Sequence, residues 1–331
     1  MLTPRQNLLE CIRGGHPDRY VNMFEAFSPM IPGNPLLDPT LNEEGFMIDE
    51  WGATFRTIEG QPGFFPVHEP GRIVCTDITE WKDQVTPPGD VSDPALWEAA
   101  AAAAAQVDRS EKFVCCALIP GVFERVHHLH EITETLADLY EEPEAIHELI
   151  EVIVDWELRL AEAICTYVKP DAIFHHDDWG TQISTFMAPE MFEEFLLEPY
   201  KRIYGYYKDH GVELIIHHSD SFGETLVPYM IEMGIDIWQG ALRATNDIPA
   251  LLDRYGDRIA IMGGIESQVI DKPDWTEEEA RREVEAAFDA IPRTTGFIPC
   301  LTSGADTGGY PGIYEYVTQL IDERSERDFA Q

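Results

Sequence analysis

Short apolar runs rich in β-branched and aromatic residues alternate along this chain with longer stretches whose apolar residues recur at helical spacing. This alternation predicts repeated strand–helix units, and therefore a parallel sheet covered by helices. Eight runs have the length and composition of strands: Tyr20–Phe27, a weaker one at Phe46–Phe55, Phe113–Leu118, Asp171–His175, Val212–His217, Ile235–Trp238, Arg258–Met262 and Gly296–Pro299. Eight units predict an α/β fold, a single (β/α)8 TIM barrel over residues 1–331 with an N-terminal helical extension.

The segments between these runs predict helices and long loops. Pro143–Tyr167 carries apolar residues at helical spacing, and Thr276 with Glu279 forms a capping-box pattern at the start of a later helix. Ala99–Ala105 is a strong helix former. Pro- and Gly-rich segments at Ser28–Pro39 and Gly60–Pro70 predict long loops near the first two strands, where barrels often place functional groups.

Charge and composition exclude several classes of partner. The formal net charge of −38 repels phosphate backbones and anionic membrane surfaces, so nucleic acid and membranes are not expected as partners. No apolar run approaches the roughly 18 residues that span a bilayer, and the first residues lack the apolar stretch of a signal peptide. The six cysteines show no CxxC spacing, so we expect reduced thiols in a cytoplasmic protein.

Polar side chains follow several predicted strands at the point where each strand ends. The fourth strand leads into His176 and Asp178, and the fifth leads into His218 and Asp220. Reacting groups of a barrel come from the C-terminal ends of its strands, so we predict catalytic roles for Asp178, His176 and His218. Alternation along the strand points only half of the residues 175–178 into the pocket. The alternative for Asp178 is a helix cap or a salt bridge in the loop.

Some of these residues also suit a metal ion. His218 and Asp220 are two residues apart on an extended segment, so both side chains lie on the same face and can share an ion. The alternative is that they form hydrogen bonds to the loop backbone and cap the next helix. Cys300 follows the eighth strand, where a thiolate can bind metal, although lone buried cysteines usually act as small hydrophobes. The histidine-rich run 123–130 follows the third strand and lies either at the pocket mouth or in a local surface cluster.

The segment Asp177–Asp220, DDWGTQISTFMAPEMFEEFLLEPYKRIYGYYKDHGVELIIHHSD, resembles the central signature of the uroporphyrinogen decarboxylase superfamily. Three further segments are similar to the family: LTPRQNLLECIRGGHPDRY at the start, GVFERVHHLHE, and GDRIAIMGGIES. The resemblance covers nearly the whole chain. It implies a TIM barrel with its pocket at the C-terminal ends of the strands, and it implies a homodimer, which is frequent in the superfamily.

Two branches of the superfamily fit the sequence less well. Uroporphyrinogen decarboxylases bind a polycarboxylate with arginines after the first strand, whereas no Lys or Arg occurs between Arg19 and Arg56 here, and Glu25 occupies the substrate-binding position. Thiol methyltransferases hold Zn²⁺ with an HxC pair and a later cysteine. In this sequence the corresponding positions are His218 and Asp220, so an aspartate replaces the first cysteine ligand. A harder metal site of His218, Asp220 and Gln239 is the remaining alternative, with Cys300 as a further candidate ligand.

The third branch resembles the first methyltransferase of O-demethylase systems, which moves a methyl group from a methoxylated compound to a Co(I) corrinoid on a separate protein. This branch fits best. It implies a small methoxylated, aromatic substrate and a corrinoid-binding protein as partner, with Asp178 or His218 donating a proton to the leaving oxygen. The residues expected to hold an aryl ring are Phe123, Phe174, Trp179 and Trp238.

Overall fold

A computed structural model describes residues 1–59, 61–304 and 309–330. Its strands are β1 (Ile31–Pro32), β2 (Phe46–Ile48), β3 (Thr54–Ile58), β4 (Gln61–Pro66), β5 (Cys115–Leu118), β6 (Ala172–His176), β7 (Leu214–His218), β8 (Ile237–Ala241), β9 (Ala260–Ile265) and β10 (Phe297–Leu301). Within the described residues, β1 and β5 to β10 form a seven-stranded parallel sheet in the order β1-β5-β6-β7-β8-β9-β10. The parallel strands alternate with helices, so the predicted α/β barrel class is confirmed.

Helices separate the strands of this sheet. The α-helices are α1 (Pro4–Ile12), α2 (Trp81–Gln84), α3 (Glu98–Ala105), α4 (Val122–His130), α5 (Ile132–Glu141), α6 (Pro143–Tyr167), α7 (Pro189–Phe192), α8 (Glu198–Asp209), α9 (Val227–Met233), α10 (Ile248–Tyr255), α11 (Ser267–Ile270), α12 (Glu277–Ala290) and α13 (Ile313–Asp328). Short 3-10 turns lie at Ile78–Glu80, Pro94–Trp97 and Glu224–Leu226, and a π-helical turn, Glu193–Leu197, joins α7 to α8. Of the helices in the described ranges, none is both long and apolar enough to cross a membrane.

The central strands are buried on both faces, as expected for a parallel sheet covered by helices. Ala172 and Phe174 of β6 belong to one apolar cluster, whereas Ile173 between them belongs to another. Successive side chains of a strand point to opposite faces, so each central strand contributes to two cores. This alternation also decides which polar residues at the strand ends can meet.

The helix predictions are confirmed. The long amphipathic segment forms α6 with the predicted bounds, and the alanine-rich run forms most of α3. Thr276 caps α12, because its hydroxyl accepts a hydrogen bond from the Glu279 backbone N–H at 3.3 Å and donates one to the Glu279 carboxylate at 3.0 Å.

The predicted first strand, Tyr20–Phe27, is wrong. The segment forms a turn in which Met23 has a positive φ of 49° and the Glu25 backbone N–H donates to the Asn22 carbonyl at 3.0 Å. Its one strand-like contact is a parallel bridge between Phe27 and Phe113. The local hydrogen bonds of Asn22 and Glu25 outweigh the β propensity of the neighbouring apolar residues, and the edge of the sheet is formed by β1 instead.

The second predicted strand and the second predicted loop also differ from the structure. Phe46–Phe55 contains the separate strand β2 and the start of β3, and β4 forms within the expected loop Gly60–Pro70, of which Gly60 lies outside the described residues. These three strands make an antiparallel sheet apart from the barrel sheet. The segment Phe46–Phe55, in which polar residues interrupt the apolar ones, therefore contributes to an antiparallel meander and not to a strand of the barrel.

Candidate active site

The C-terminal ends of β6 and β7 bring three predicted catalytic residues together. The two strands pair in parallel with His176 opposite His218, and Asp178 follows two residues after β6. One ligand-type atom from each of His176, Asp178 and His218 lies within 4.8 Å of the others. We call these three residues the His/Asp cluster. They lie where barrel enzymes carry their reacting groups.

His176 is surrounded by carboxylates. Its Nδ1 lies 2.8 Å from Glu124 Oε2, and its Nε2 lies 4.0 Å from Asp178 Oδ2. Burial alone would lower the pKa of His176, but the Glu124 and Asp178 carboxylates raise it to about 10. Because a carboxylate accepts at Nδ1, that nitrogen carries a proton, and Nε2 is the nitrogen that His176 presents to Asp178.

His218 is oriented by Gln239. The Gln239 amide nitrogen donates to the carbonyls of Leu301 at 3.3 Å and Ser303 at 3.2 Å, so its oxygen faces His218 and accepts from Nδ1. Burial and the nearby His176 lower the pKa of His218 to about 4. His218 is therefore a neutral imidazole with an unprotonated Nε2, which makes it a base or a ligand rather than the proton donor that the sequence suggested.

Glycine is required beside this ring. Gly240 has a φ of +94°, and a Cβ atom there would lie 2.9 Å from the Ser219 carbonyl oxygen and 3.1 Å from His218 Cε1. On its other side the His218 ring stacks on His176, with ring centroids 4.6 Å apart and 20° between the planes. The two imidazoles are therefore held face to face by their surroundings.

Glu124 reaches the cluster from the first turn of α4, and Asp177 fixes that turn. The buried Asp177 carboxylate accepts hydrogen bonds from the backbone N–H groups of Phe123 at 3.0 Å and Glu124 at 2.7 Å, from Trp179 Nε1 at 2.8 Å and from the Tyr200 hydroxyl. Burial and the Glu124 carboxylate raise the pKa of Asp177 to about 7. Asp177 thus caps α4 and positions Glu124 against His176.

Glu124 and Asp177 are site residues that were not predicted from the sequence. Glu124 belongs to the GVFERVHHLHE segment directly after β5, so its position at a strand end was the signal that could have identified it. Asp177 precedes Asp178, and the sequence does not say which of two adjacent aspartates points into the helix layer.

The histidines of α4 are buried, so the surface alternative is excluded. Ligand-type atoms of Glu124, His127 and His128 lie within 4.8 Å of one another. The Nδ1 atoms of His127 and His128 are buried and have no hydrogen-bond partner in the described part of the chain. His130 is tied into the structure by the Cys75 carbonyl at 2.8 Å from Nδ1 and by Asp138 at 2.7 Å from Nε2.

The predicted metal set of His218, Asp220, Gln239 and Cys300 is not assembled as a ligand shell. The Gln239 oxygen is occupied by His218. Cys300 is fully buried within β10, and burial raises the pKa of its thiol, which disfavours a thiolate. Asp220 instead donates its backbone N–H to Asp178 Oδ1 at 3.1 Å. The residues present therefore do not fit a thiolate zinc site.

The predicted substrate-binding residues are dispersed. Glu25 lies near the N-terminal end of β5, because Phe27 bridges to Phe113, and its carboxylate accepts from the Asn22 backbone N–H and pairs with Arg19. The prediction that Glu25 lies at the pocket is therefore wrong. The turn at residues 23–26 places Glu25 at the opposite end of the barrel.

The four predicted aromatic residues are all buried. Trp179 stacks on His217 with centroids 3.8 Å apart, Trp238 donates to the Ser219 carbonyl at 2.9 Å, and Phe123 packs against Phe186. These three serve packing and do not form a ring-binding slot. Phe174 is the one of the four whose ring contacts the His/Asp cluster, with its centroid 5.8 Å from that of His218.

Arg125 is the arginine nearest to Glu124 in sequence, and it is not free to bind a substrate carboxylate. Its buried guanidinium pairs with Asp49 and, at 3.1 Å, with Glu50. Both partners come from the segment between β2 and β3. The ion pairs therefore connect the small antiparallel sheet to α4.

Comparisons with known proteins agree with this architecture. The profile of the uroporphyrinogen decarboxylase (URO-D) family matches residues 77–307, more than half of the chain. A solved methyltransferase from Methanosarcina mazei superposes with a TM-score of 0.65 over 98% of this chain and 99% of that chain, at 12% sequence identity. This likeness shows a shared fold. Comparison with curated proteins returned no significant match.

Proposed function

The chain belongs to the uroporphyrinogen decarboxylase family, and from this premise we propose that it is a corrinoid-dependent methyltransferase of the O-demethylase type. In this proposal it moves the methyl group of a methoxylated aromatic compound to the Co(I) corrinoid of a separate protein. The observation that carries the proposal is the His/Asp cluster at the ends of β6 and β7. In the described ranges, Cys300 is a buried thiol with a raised pKa and Arg125 is paired with carboxylates.

The oxygen of a methyl ether is a poor leaving group, so the reaction requires a group that stabilises it. The carbon–oxygen bond of the methyl ether breaks with its electron pair staying on oxygen, while the electron pair of Co(I) forms the new carbon–cobalt bond. The oxygen then takes one proton to give the free hydroxyl. A group that stabilises the developing negative charge on oxygen lowers the barrier, and the His/Asp cluster supplies imidazole and carboxyl groups for this purpose.

An aromatic donor is favoured by the same chemistry. A phenol has a pKa near that of tyrosine, about 10, so phenoxide is a much better leaving group than an aliphatic alkoxide. Phe174, which contacts His218, is an apolar neighbour for such a ring. Phe123, Trp179 and Trp238 support this ring indirectly by packing behind the strands that carry the cluster.

Exposed apolar side chains near this end of the barrel support a protein partner. Ile183 is 83% exposed in the loop that follows β6, and Val269 is 44% exposed on α11, which follows β9. The two segments are tied together by a hydrogen bond of 2.9 Å between Gln182 and Gln268. Exposed apolar groups beside an active site fit the docking of a corrinoid protein that must bring its cobalt to the substrate.

The alternatives are thiol methylation and porphyrinogen decarboxylation. Thiol methylation of the kind known in the family uses thiolate-bound zinc, and buried Cys300 with its raised pKa does not supply it. Decarboxylation of a polycarboxylate needs paired guanidiniums, and Arg125 is already paired with Asp49 and Glu50.

The test is a methyl-transfer assay with reduced corrinoid protein and a panel of methoxylated aromatic and aliphatic compounds. Product phenol and the absorbance change of the corrinoid are measured together. We expect one phenol per methyl group transferred, with aromatic donors preferred. The change Asp178→Asn should lower the rate, whereas Asp209→Asn, the same change at the exposed end of α8, should not. Thiol methylation or porphyrinogen decarboxylation without demethylation would contradict the proposal.

A further inference from the structure

We propose that His176, Asp178 and His218 bind one divalent transition-metal ion through nitrogen and oxygen atoms alone. The inference extends the proposed function, because it names what stabilises the leaving oxygen. Its test measures metal binding directly and does not depend on methyl transfer. Of the ligand set predicted from the sequence only His218 is kept, because His176 and Asp178 at the β6 end take the place of Asp220, Gln239 and Cys300.

The spacing of the three side chains suits a shared ion. Zinc bonds to imidazole nitrogen and carboxylate oxygen measure about 2.0–2.2 Å, so two ligands of one ion lie at most about 4.3 Å apart. His176 Nε2 and Asp178 Oδ2 are 4.0 Å apart, and ligand atoms of all three residues lie within 4.8 Å. Binding of an ion would draw these ligand atoms together by about half an ångström at most.

Both imidazoles have the supporting contacts that metal ligands require. Metal-binding histidines usually donate their second ring N–H to a carboxylate or carbonyl oxygen, which fixes the ring and directs the free nitrogen to the ion. His176 donates from Nδ1 to Glu124, and His218 donates from Nδ1 to the Gln239 oxygen. Each ring therefore directs Nε2 toward an ion, with Glu124 and Gln239 as positioning residues. Metal binding at His176 releases the proton that its Nε2 carries in the metal-free protein.

Charge and ligand type favour a borderline or hard cation. Glu124 and Asp178 lie on either side of His176, so negative charge accumulates where the ion would bind. Two imidazoles and one carboxylate suit Zn²⁺ or Fe²⁺, and three protein ligands leave coordination positions open for an oxygen of the substrate. A methyl ether oxygen or the phenoxide formed from it is a ligand of that class.

A second group on α4, comprising Glu124, His127 and His128, is the competing location. Its ligand atoms also lie within 4.8 Å. However, Glu124 Oε2 is already hydrogen bonded to His176, and the Nδ1 atoms of His127 and His128 lack the partners that would orient these rings. The supporting contacts therefore favour the His/Asp cluster.

The experiment titrates the full-length, chelator-treated protein with Co²⁺, followed by visible absorption, and with Zn²⁺, followed by calorimetry. We expect one equivalent of each ion to bind, with no sulfur-to-cobalt charge-transfer band. His176→Ala and His218→Ala should weaken binding at least about 100-fold, and Glu124→Gln should weaken it about 10- to 100-fold. Asp178→Asn provides a third ligand variant if either alanine variant fails to fold.

Two control variants distinguish the locations. His128→Ala and Cys300→Ala should bind Co²⁺ and Zn²⁺ with the affinity of the unaltered protein. Loss of binding in His128→Ala would assign the ion to the α4 group, and a charge-transfer band lost in Cys300→Ala would assign it to a thiolate. Either result would overturn the proposal, as would the absence of stoichiometric binding. Demethylation without metal binding would leave the proposed function standing and this inference refuted.

Discussion

Two pairs of histidines lie side by side across β6 and β7, and the two pairs have different environments. His175 is opposite His217 in the sheet, and His176 is opposite His218 one residue further along. The second pair belongs to the His/Asp cluster and is hydrogen bonded to Glu124 and Gln239. The first pair lies on the other face of the strands, because successive side chains of a strand alternate.

The first pair is packed among tyrosines of α8. His217 is held by the Tyr204 hydroxyl at 2.9 Å from Nδ1 and by the Asp177 carbonyl at 3.1 Å from Nε2. The ring of His175 lies between those of Tyr200 and Tyr204, with centroid distances of 5.7 and 5.6 Å, and neither of its nitrogens has a hydrogen-bond partner in the described ranges. We call this layer, including Glu157 of α6, the tyrosine layer.

The difference between the two pairs shows that residue type alone does not determine the environment of a side chain at a strand end. Burial lowers the pKa of both His175 and His217, so the tyrosine layer holds neutral rings that stabilise the fold. In the His/Asp cluster the same residue type contacts carboxylates and an amide. The comparison predicts that changes in the cluster affect activity and that changes in the tyrosine layer affect stability.

The largest effect is expected for His218→Ala. In the proposed function the His218 imidazole acts at the leaving oxygen, so its loss should lower kcat/KM for demethylation by about 10²- to 10⁴-fold, the usual size for a catalytic side chain of this kind. The midpoint of thermal unfolding should change little by comparison. Initial rates and thermal unfolding measured on the same preparation check the prediction, and a variant that keeps its rate would remove His218 from the site.

The next effect concerns the pH dependence of stability through Glu157. This carboxyl is buried in the tyrosine layer with one oxygen unpartnered, and burial raises its pKa to about 8. In the unfolded chain it ionises near its ordinary value of 4.5. Between these values the folded state holds a proton that the unfolded state has released, so its contribution to stability falls as the pH rises from about 4.5 to 8.

Glu157→Gln removes this ionisation. We expect the variant to match the unaltered protein near pH 4.5 and to exceed its free energy of unfolding by about 3 kcal/mol near pH 7. Urea denaturation at several pH values measures the difference. Glu162→Gln, an exposed position on the same helix, is the matched control and should give no pH-dependent gain. A constant difference at all pH values would show that the Glu157 pKa is not raised.

The three residues of the His/Asp cluster could be predicted from the sequence because they follow apolar strands. The runs that became β6 to β10 are continuous and apolar, so the ends of the strands, and with them His176, Asp178 and His218, could be located from the pattern. Strand alternation also implied that only half of the residues 175–178 share a pocket. Hydrogen bonds between Glu124 and His176 join residues 52 positions apart, and no local pattern encodes such a contact.

The same reasoning failed where local contacts outweighed the pattern. Tyr20–Phe27 has the composition of a strand, but the hydrogen bonds of Asn22 and Glu25 turn the chain. Glu25 therefore lies at the other end of the barrel from Asp178. The prediction that Trp179 and Trp238 hold a substrate ring also differs from the structure. Trp179 is buried against His217, and Trp238 is buried with its indole N–H bonded to the Ser219 carbonyl.

A smaller effect is expected for Tyr204→Phe. The change removes the hydroxyl that donates to His217 Nδ1 and leaves the ring in place. Loss of one buried hydrogen bond should lower the free energy of unfolding by about 1 kcal/mol, while the demethylation rate stays unchanged. Chemical denaturation and initial rates measure the two quantities. Tyr140→Phe, at a position 72% exposed, is the control. A fall in rate would connect the tyrosine layer to the chemistry.

The smallest effect is expected for His175→Phe, and it tests the comparison most directly. Both nitrogens of His175 are buried without partners, so a phenylalanine of similar shape removes two unsatisfied polar atoms and keeps the contacts with Tyr200 and Tyr204. The free energy of unfolding should stay within about 1 kcal/mol of that of the unaltered protein or rise slightly. His176→Phe, one residue further on, should lower the demethylation rate by at least about 10²-fold. If His175→Phe instead lowered stability by several kcal/mol, His175 would have a polar partner, and the two histidine pairs would differ less than their contacts indicate.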